Sequence, residues 1–363
     1  MTSASVVFVI GTRAQLIKVA PVIRACEQAG LPTHLLMTGQ HRDTMDDLLH
    51  EFAIAAPRRA AVPAGENATV GALLGFAPRA LAGLIRELRA LQRIEGALDV
   101  LVHGDTLSTL LGALAARRVG ARVLHVESGL TSAQLLDPFP EELTRRLVFR
   151  LTDVAFCPGP REAMQMRRYR CEVVETQGNT ILDAVRMTGA LQRAMCPSGQ
   201  GVLVSLHRFQ NLYSARRFDR LMGTVAALAE HRDVHFVLHP ATHKRLERSR
   251  WPAVFDRLPR LRRYPRMGYR AFLCMAAEAE CVLTDGGSNQ EELACLGVPT
   301  VIMRQTTERQ DGLGANALME RDLPADLVDW VCNDGPAALR RPPRWPADPG
   351  PSARIVRYLS GLG

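Results

Sequence analysis

Residues 5–10, Ser5-Val6-Val7-Phe8-Val9-Ile10, form an unbroken β-branched and aromatic run, the pattern of a strand covered on both faces. Gly11-Thr12-Arg13 then leads into a helix predicted over 14–30, and 33–38 reads as a second strand. Residues 72–94 carry apolar positions at a spacing near 3.6 and predict one or two helices. Strands are predicted at 99–103, 122–126, 154–157 and 172–176, alternating with helices at 106–118, 141–151 and 161–168. The rhythm restarts beyond Gly178-Asn179-Thr180, with strands at 201–205, 235–238, 281–284 and 299–303 and helices at 214–231, 270–279 and 288–296. Strands alternating with helices predict parallel sheets wound on both sides. The expected domains are 1–177 and 178–345, with 333–352 a Pro-, Gly- and Asp-rich linker and 353–362 a short closing helix.

Composition refines this picture more than it changes it. Of the 363 residues 47% are apolar and 23% charged, values that exclude a disordered chain, and with 5% aromatics the core should be Leu, Val and Ala. The formal charge of +8 raises the question of nucleic acid. Yet all but two of the 45 basic residues are Arg, Lys18 and Lys244 being the exceptions, and no run of five occurs. Scattered Arg argues against a nucleic-acid partner, which calls for a basic patch or stripe, and resembles the output of a GC-rich genome. A diffuse positive field still suits an anionic small molecule. The eight cysteines include no C-x-x-C pair and lie in apolar stretches, so reduced, buried thiols in a cytoplasmic protein are expected. The apolar run 6–10 is too short for a signal peptide, and no segment approaches the roughly 20 apolar residues of a membrane span.

In tandem doubly wound domains a ligand is expected in the cleft between them, beyond the carboxyl ends of the strands. Those ends carry Gly11-Thr12-Arg13 with Lys18 one turn on, Gly104-Asp105-Thr106, Glu127-Ser128-Gly129, Pro140-Glu141-Glu142, Ser205-Leu206-His207-Arg208 and Asp285-Gly286-Gly287-Ser288. The Gly286-Gly287-Ser288 turn would let backbone approach a ligand and present a helix N-terminus to a diphosphate. Glu292, one turn inside that helix, could accept from both ribose hydroxyls; the bland alternative is a turn capped by Asp285. Asp105, Glu127, Glu141 and His207 form a candidate acid–base set, because neighbouring carboxyls in a shielded site can hold different protonation states. Singly, Asp105 reads equally as a helix cap, Glu141 as a first-turn acid and His207 as a core histidine. His239, before Pro240, is either ligand-facing or structural. No metal-ligand constellation, dinucleotide fingerprint, Walker motif or Gly-x-Ser-x-Gly is spelled out, so neither metal nor organic cofactor is expected.

The ordered set Gly11-Thr12-Arg13 with Lys18, Gln40-His41-Arg42, His103-Gly104-Asp105-Thr106, His125-Val126-Glu127-Ser128-Gly129-Leu130, Pro140-Glu141-Glu142, Gly178-Asn179-Thr180, His207-Arg208, Gln290-Glu291-Glu292 and Thr306-Thr307-Glu308-Arg309 resembles the non-hydrolysing UDP-N-acetylglucosamine 2-epimerases. The resemblance spans about 8–310 and implies two Rossmann-like domains facing a cleft, the GT-B-like arrangement, with the closing helix 353–363 returning to the first domain. It implies elimination of UDP to an enzyme-bound glycal and re-addition on the other face. Asp105, Glu127, Glu141 and His207 would be the catalytic residues. Arg13, Lys18, Gly286, Gly287, Ser288, Glu292 and Arg309 would hold the UDP-sugar, in a homodimer. Hydrolysis to free sugar, sugar transfer on the same architecture, and non-catalytic nucleotide-sugar sensing are the competing readings.

The chain also departs from the family pattern. Where the family carries Glu, Arg, Arg and Glu, this sequence has Gln15, Thr131, Phe209 and Gln210. Loss of both signs together suggests a charged cluster rebuilt as a neutral one, affecting the sugar pocket or the family's second, regulatory nucleotide-sugar site.

Overall fold

The computed structural model of the chain describes residues 4–38, 45–62, 70–131, 141–305, 307, 310–345 and 348–362, with 70–75 and Phe209 described by backbone alone. The chain divides into two units, Met1–Met187 with Pro346–Gly363, and Thr188–Trp345.

The first unit is built on seven parallel strands: β1 (Ser5–Ile10), β2 (Thr33–Met37), β3 (Arg58–Ala60), β4 (Leu98–His103), β5 (Arg122–Val126), β6 (Val154–Cys157) and β7 (Glu172–Glu175). Their order is β3-β2-β1-β4-β5-β6-β7. Every residue of β1 and of β4 is buried, which is why β1 reads as a near-continuous apolar run; β4 buries Asp99 and His103 along with its apolar residues. β1 pairs with β2 on one side and β4 on the other, so the winding reverses between β1 and β4. A crevice opens at such a switch point, beyond the carboxyl ends of the two strands.

The helix Leu107–Val119 packs tightly against this switch. A Cβ on Gly11, just after β1, would lie 1.8 Å from Ser108 Oγ. Only glycine permits that approach. The helix over 70–95 covers β1, β2 and β4 with Phe76, Ala80, Leu84, Leu88 and Leu91. Leu and Ala carry most of this packing, as the low aromatic content implies.

The last helix, Pro351–Leu359, belongs to this first unit. Tyr358 Oη donates to Glu172 Oε2 at 2.5 Å, and its ring meets Phe156 edge-on at 5.5 Å. The helix Ile181–Thr188 is held here too, since Asp183 Oδ2 accepts the Ser352 N–H at 2.7 Å. The division between units therefore falls about ten residues beyond Gly178, where the sequence alone placed it. The stretch expected as a linker, 333–352, contains a short helix, Gly335–Leu339.

The second unit repeats the plan on six parallel strands: β8 (Val202–Ser205), β9 (Val234–Leu238), β10 (Leu261–Pro265), β11 (Cys281–Thr284), β12 (Thr300–Ile302) and β13 (Ala317–Met319). Their order is β10-β9-β8-β11-β12-β13, with the switch between β8 and β11. The edge strands β10 and β13 carry no periodic signal. β10 is Leu-Arg-Arg-Tyr-Pro with no buried residue, and β13 has three residues. All eight cysteines are unpaired, and Cys26, Cys157, Cys281 and Cys295 are buried while the other four are partly or fully exposed. No helix among the described residues is long and apolar enough to cross a membrane.

Candidate active site

In the first unit, the switch between β1 and β4 gathers a polar cluster. Thr12 caps the helix Arg13–Gln28, and Gln15 completes a capping box. Gln15 does more than cap. It is 2% exposed; its Oε1 accepts from Gly11 N at 2.9 Å and Thr12 N at 3.2 Å. Its Nε2 donates to His103 O at 2.8 Å, Thr106 Oγ1 at 2.9 Å and Thr109 Oγ1 at 3.0 Å. One amide thus ties the end of β1 to the end of β4 and to the start of the helix Leu107–Val119. Both its acceptor and its donor are used, which a carboxylate in that place could not do.

Lys18 lies one turn further along the same helix and is 4% exposed. Its Nζ donates to both carboxylate oxygens of Glu127, at 2.8 and 2.9 Å. His103 Nε2 lies 3.0 Å from Glu127 Oε2. Glu127 follows β5 with φ +61°, in the left-handed region, which costs a non-glycine residue of order 1–3 kcal/mol. That turn aims its carboxylate back over the switch, onto the lysine and the histidine. The lysine that the resemblance assigns to the diphosphate is thus in contact with a carboxylate of the chain itself. Arg13 is likewise engaged, its guanidinium bidentate on Asp47 at 2.5 and 2.9 Å, but this pair is partly exposed.

Asp105 follows β4 through Gly104, and Thr106, not Asp105, caps the next helix. The Asp105 carboxylate accepts from Arg145. Arg145 also donates to Glu142 Oε2 at 2.7 Å, while Arg146 Nε and Thr131 Oγ1 each donate to Glu142 Oε1 at 2.7 Å. Glu142 is fully buried, whereas Glu141 is partly exposed at the first turn of the helix Glu141–Leu151. Glu141 therefore remains the accessible acid of the pair, and Glu142 anchors Arg145 against Asp105. His125, on β5, is fully buried with Nε2 2.8 Å from Gly104 O; burial pushes its pKa down to about 4.

In the second unit, the switch between β8 and β11 holds His207. Asp285, fully buried after β11, accepts from His207 N at 2.9 Å, Arg208 N at 3.0 Å and Asn211 Nδ2 at 2.7 Å. His207 Nδ1 lies 3.4 Å from Asp285 Oδ1. Asp285 thus organises the His207 loop instead of capping the following helix, whose N-cap is Gly286. A Cβ on Gly286 would stand 3.1 Å from His207 Cε1 and 2.8 Å from Asn289 Oδ1. Burial holds the His207 imidazole below its usual pKa, opposed by Asp285 and reinforced by Arg208. Gly287 and Ser288 open the helix Gly287–Leu296 and are partly exposed. Glu292 is 3% exposed and stands near the phenol of Tyr269, whose pKa burial and this carboxylate push well up.

Of the expected site residues, the first unit brings together Lys18 and Glu127, and it sets Asp105, at the end of β4, on Arg145. The second brings His207 to Gly286. Arg309, with Gln40, His41, Arg42, Pro140, Thr306 and Glu308, lies outside the described residues. The four charge losses are divided between the two units, Gln15 and Thr131 in the first, Phe209 and Gln210 in the second. Gln15 serves the strand ends, Thr131 serves Glu142, Gln210 is exposed, and Phe209 is described by backbone alone. Sequence reasoning passed over Arg145, Glu142 and Asp285 as functional supports. Their one signal was the i, i+3 spacing of Glu142 and Arg145. Among the described residues, no group of three or more His, Cys, Asp or Glu is placed to hold a metal ion.

A family model described as UDP-N-acetylglucosamine 2-epimerase matches residues 24–323. The UDP-N-acetylglucosamine 2-epimerase of Methanocaldococcus jannaschii is 30% identical, over 86% of this chain and 87% of that protein. The Bacillus subtilis enzyme of the same name is 29% identical, over 88% and 83%. A crystal structure of the M. jannaschii UDP-GlcNAc 2-epimerase in complex with UDP-GlcNAc and UDP superposes with a TM-score of 0.72 at 25% identity, covering 99% of both chains. With two parallel-sheet α/β units of the GT-B-like kind and a family match across most of its length, this chain is a member of the UDP-N-acetylglucosamine 2-epimerase family.

Proposed function

We propose that the chain inverts C2 of UDP-N-acetylglucosamine, or of a closely modified UDP-sugar, through elimination and re-addition of UDP. The observation that carries this reading is the pair of carboxylates beyond β4 and β5, Asp105 and Glu127, with the latter gripped on both oxygens by a buried lysine. The binding of UDP-GlcNAc and UDP by the M. jannaschii relative supports the substrate class.

A C2 proton beside an acetal is not acidic, so direct abstraction would face a very high barrier. Elimination avoids the carbanion. A carboxylate takes the C2 proton while the C1–O bond breaks; the C–H electron pair becomes the C1–C2 double bond, and the C1–O pair departs with UDP. Return reverses both events, with the proton delivered to the opposite face of C2. Acid–base groups are therefore needed on both faces, and Asp105, Glu127 and Glu141 are the candidates. Positive charge or donors must meet the leaving diphosphate. His207 stabilises or protonates that oxygen, and the N-terminus of the helix Gly287–Leu296 faces it with Gly286, Gly287 and Ser288. Arg13 and Arg309 complete the polar contacts, and Glu292 takes the ribose. Lys18 acts through Glu127: it compensates the carboxylate's charge in a buried place and fixes the direction of its oxygens.

The enzyme is proposed to work in the cytoplasm, consistent with eight unpaired cysteines, and as a homodimer. Leu114, Leu143 and Leu147, exposed on two helices of the first unit, are the surface that favours a second copy. Light scattering tests the dimer.

Turnover of UDP-N-acetylglucosamine in deuterated water, followed by nuclear magnetic resonance, tests the reaction. Deuterium at C2 and appearance of the manno epimer are expected, with UDP retained in the nucleotide sugar. Free sugar with stoichiometric UDP would identify the hydrolysing reaction instead. Binding without deuterium exchange would refute both.

A further inference from the structure

His239 is not part of the acid–base set, yet it faces one member of it. It follows β9, caps the helix Pro240–Glu247 through its backbone, and is half-buried. Its ring centroid lies 4.3 Å from that of His207, with the planes 31° apart. Its Nε2 is 3.4 Å from Ser205 Oγ, at the end of β8. His207 is therefore bounded on three sides. Asp285 holds its backbone N–H and stands beside Nδ1, Gly286 leaves just enough room at Cε1, and His239 covers a ring face.

We propose that His239 is a positioning residue for His207. The stacked ring holds the imidazole with Nδ1 turned toward Asp285, 3.4 Å away, and Nε2 turned to meet the substrate. This inference rests on the reading that His207 meets the departing UDP oxygen. A ring on a ring restricts rotation about the last side-chain torsion of His207, which is broad when nothing covers it. It also keeps water off one face, so the ring stays neutral in the resting enzyme and takes up the proton it donates through Nε2 only when the diphosphate's charge stands beside it. The charged groups around the pair are Asp285, which favours a proton on either ring, and Arg208 and Arg266, which oppose one on His207 and His239 respectively. His239 itself is held neutral, its pKa pushed down to about 4 by burial and by His207. It therefore acts as a stacked aromatic surface rather than as a second acid.

The test compares His239→Ala with His239→Phe in the full chain. Two readouts are needed: the titration midpoint of His207 by nuclear magnetic resonance, assigned with a His207 variant, and the pH profile of kcat/KM for UDP-N-acetylglucosamine. His239→Ala is expected to raise the His207 midpoint by about one pH unit, as lost desolvation lets the ring charge, and to move the acidic limb of the profile with it. kcat should fall more than tenfold with little change in KM. His239→Phe, which keeps the stacked ring and loses the Ser205 contact, should restore the midpoint and most of kcat. An unchanged midpoint in His239→Ala overturns the proposal, and so does a Phe variant that behaves like Ala. If the alanine variant does not fold, His239→Asn replaces it, with the same expectation. If wild type does not turn the substrate over, the functional reading fails, while the His207 midpoints still decide the positioning claim.

Discussion

Replacing Gln15 by Glu restores the residue type usual in this family and should damage this protein. The amide makes five hydrogen bonds at 2% exposure. The new carboxyl keeps the two accepted at Oε1. At the Nε2 position it brings an oxygen to within 2.8 Å of the His103 carbonyl and next to two threonine hydroxyls. Thr109 already commits its proton to His103 O at 2.6 Å, and Thr106 Oγ1 accepts from Thr109 N at 3.3 Å. The Thr106 hydroxyl can turn its proton onto one oxygen, but the His103 carbonyl still faces the new carboxyl, which must either stay ionised against that carbonyl or take up a proton to donate to it. A buried polar group left without its partner costs roughly 1–3 kcal/mol, and more when charged, so a loss of about 2–4 kcal/mol is expected at pH 7.5.

The pH dependence has a definite sign. The folded protein favours the protonated carboxyl, so its folded pKa lies above the unfolded value of about 4.3. The penalty is complete above the folded value, shrinks as pH falls through it, and vanishes below the unfolded value. Hydrogen exchange in peptides spanning 9–18 and 98–110 should show the loss at pH 7.5 and a smaller one at pH 5.5. Tryptophan fluorescence would miss it, because Trp251, Trp330 and Trp345 all lie in the second unit. Wild-type protection at pH 7.5, or a loss that does not shrink with acid, would refute the argument.

Lys18→Met leaves the Glu127 carboxylate buried without its ammonium and should cost about 3–5 kcal/mol in the first unit, read by hydrogen exchange, together with loss of turnover. Lys18→Arg keeps the charge but forces a planar guanidinium into a site 4% exposed, so turnover should fall; wild-type activity would count against the tight Glu127 contact. Gly286→Ala should displace the His207 ring by a few tenths of an ångström and cut kcat about tenfold or more while leaving the melting temperature nearly unchanged, since Asn289 can swing aside. Acidification from pH 7 to pH 5 should destabilise the first unit by about 2 kcal/mol through His125, because the unfolded imidazole takes a proton near 6.5 and the folded one only near 4. His125→Gln, which can still donate to Gly104 O, should remove that slope in hydrogen exchange.

Much of the architecture was legible as pattern. β5, β6 and β11 and the helix Glu141–Leu151 fall on the residues expected, and most other expected elements within one or two, because strands buried on both faces leave mostly apolar runs. The edge strands β3, β10 and β13 were not legible, since exposed positions or three residues impose no period on the sequence. The site was legible as a set of strand-end residues, but their partners were not. Lys18 and Glu127 are 109 positions apart, and only the β1–β4–β5 adjacency makes them neighbours.

The sequence by itself determined the parallel-sheet class, the two-unit plan, the family and the order of its strand-end motifs. Each of these depends on local periodicity or on residues close together in the chain. Tertiary structure decided which groups meet. It put the lysine on a carboxylate, set Arg145 on Asp105, gave Asp285 to the His207 loop, and used Gln15 as a neutral tie between two strand ends. Those contacts depend on sheet order and register, which bring together residues from 40 to 109 positions apart. No local pattern encodes them, because the free energy of a buried polar contact is realised only when the distant partner is already in place.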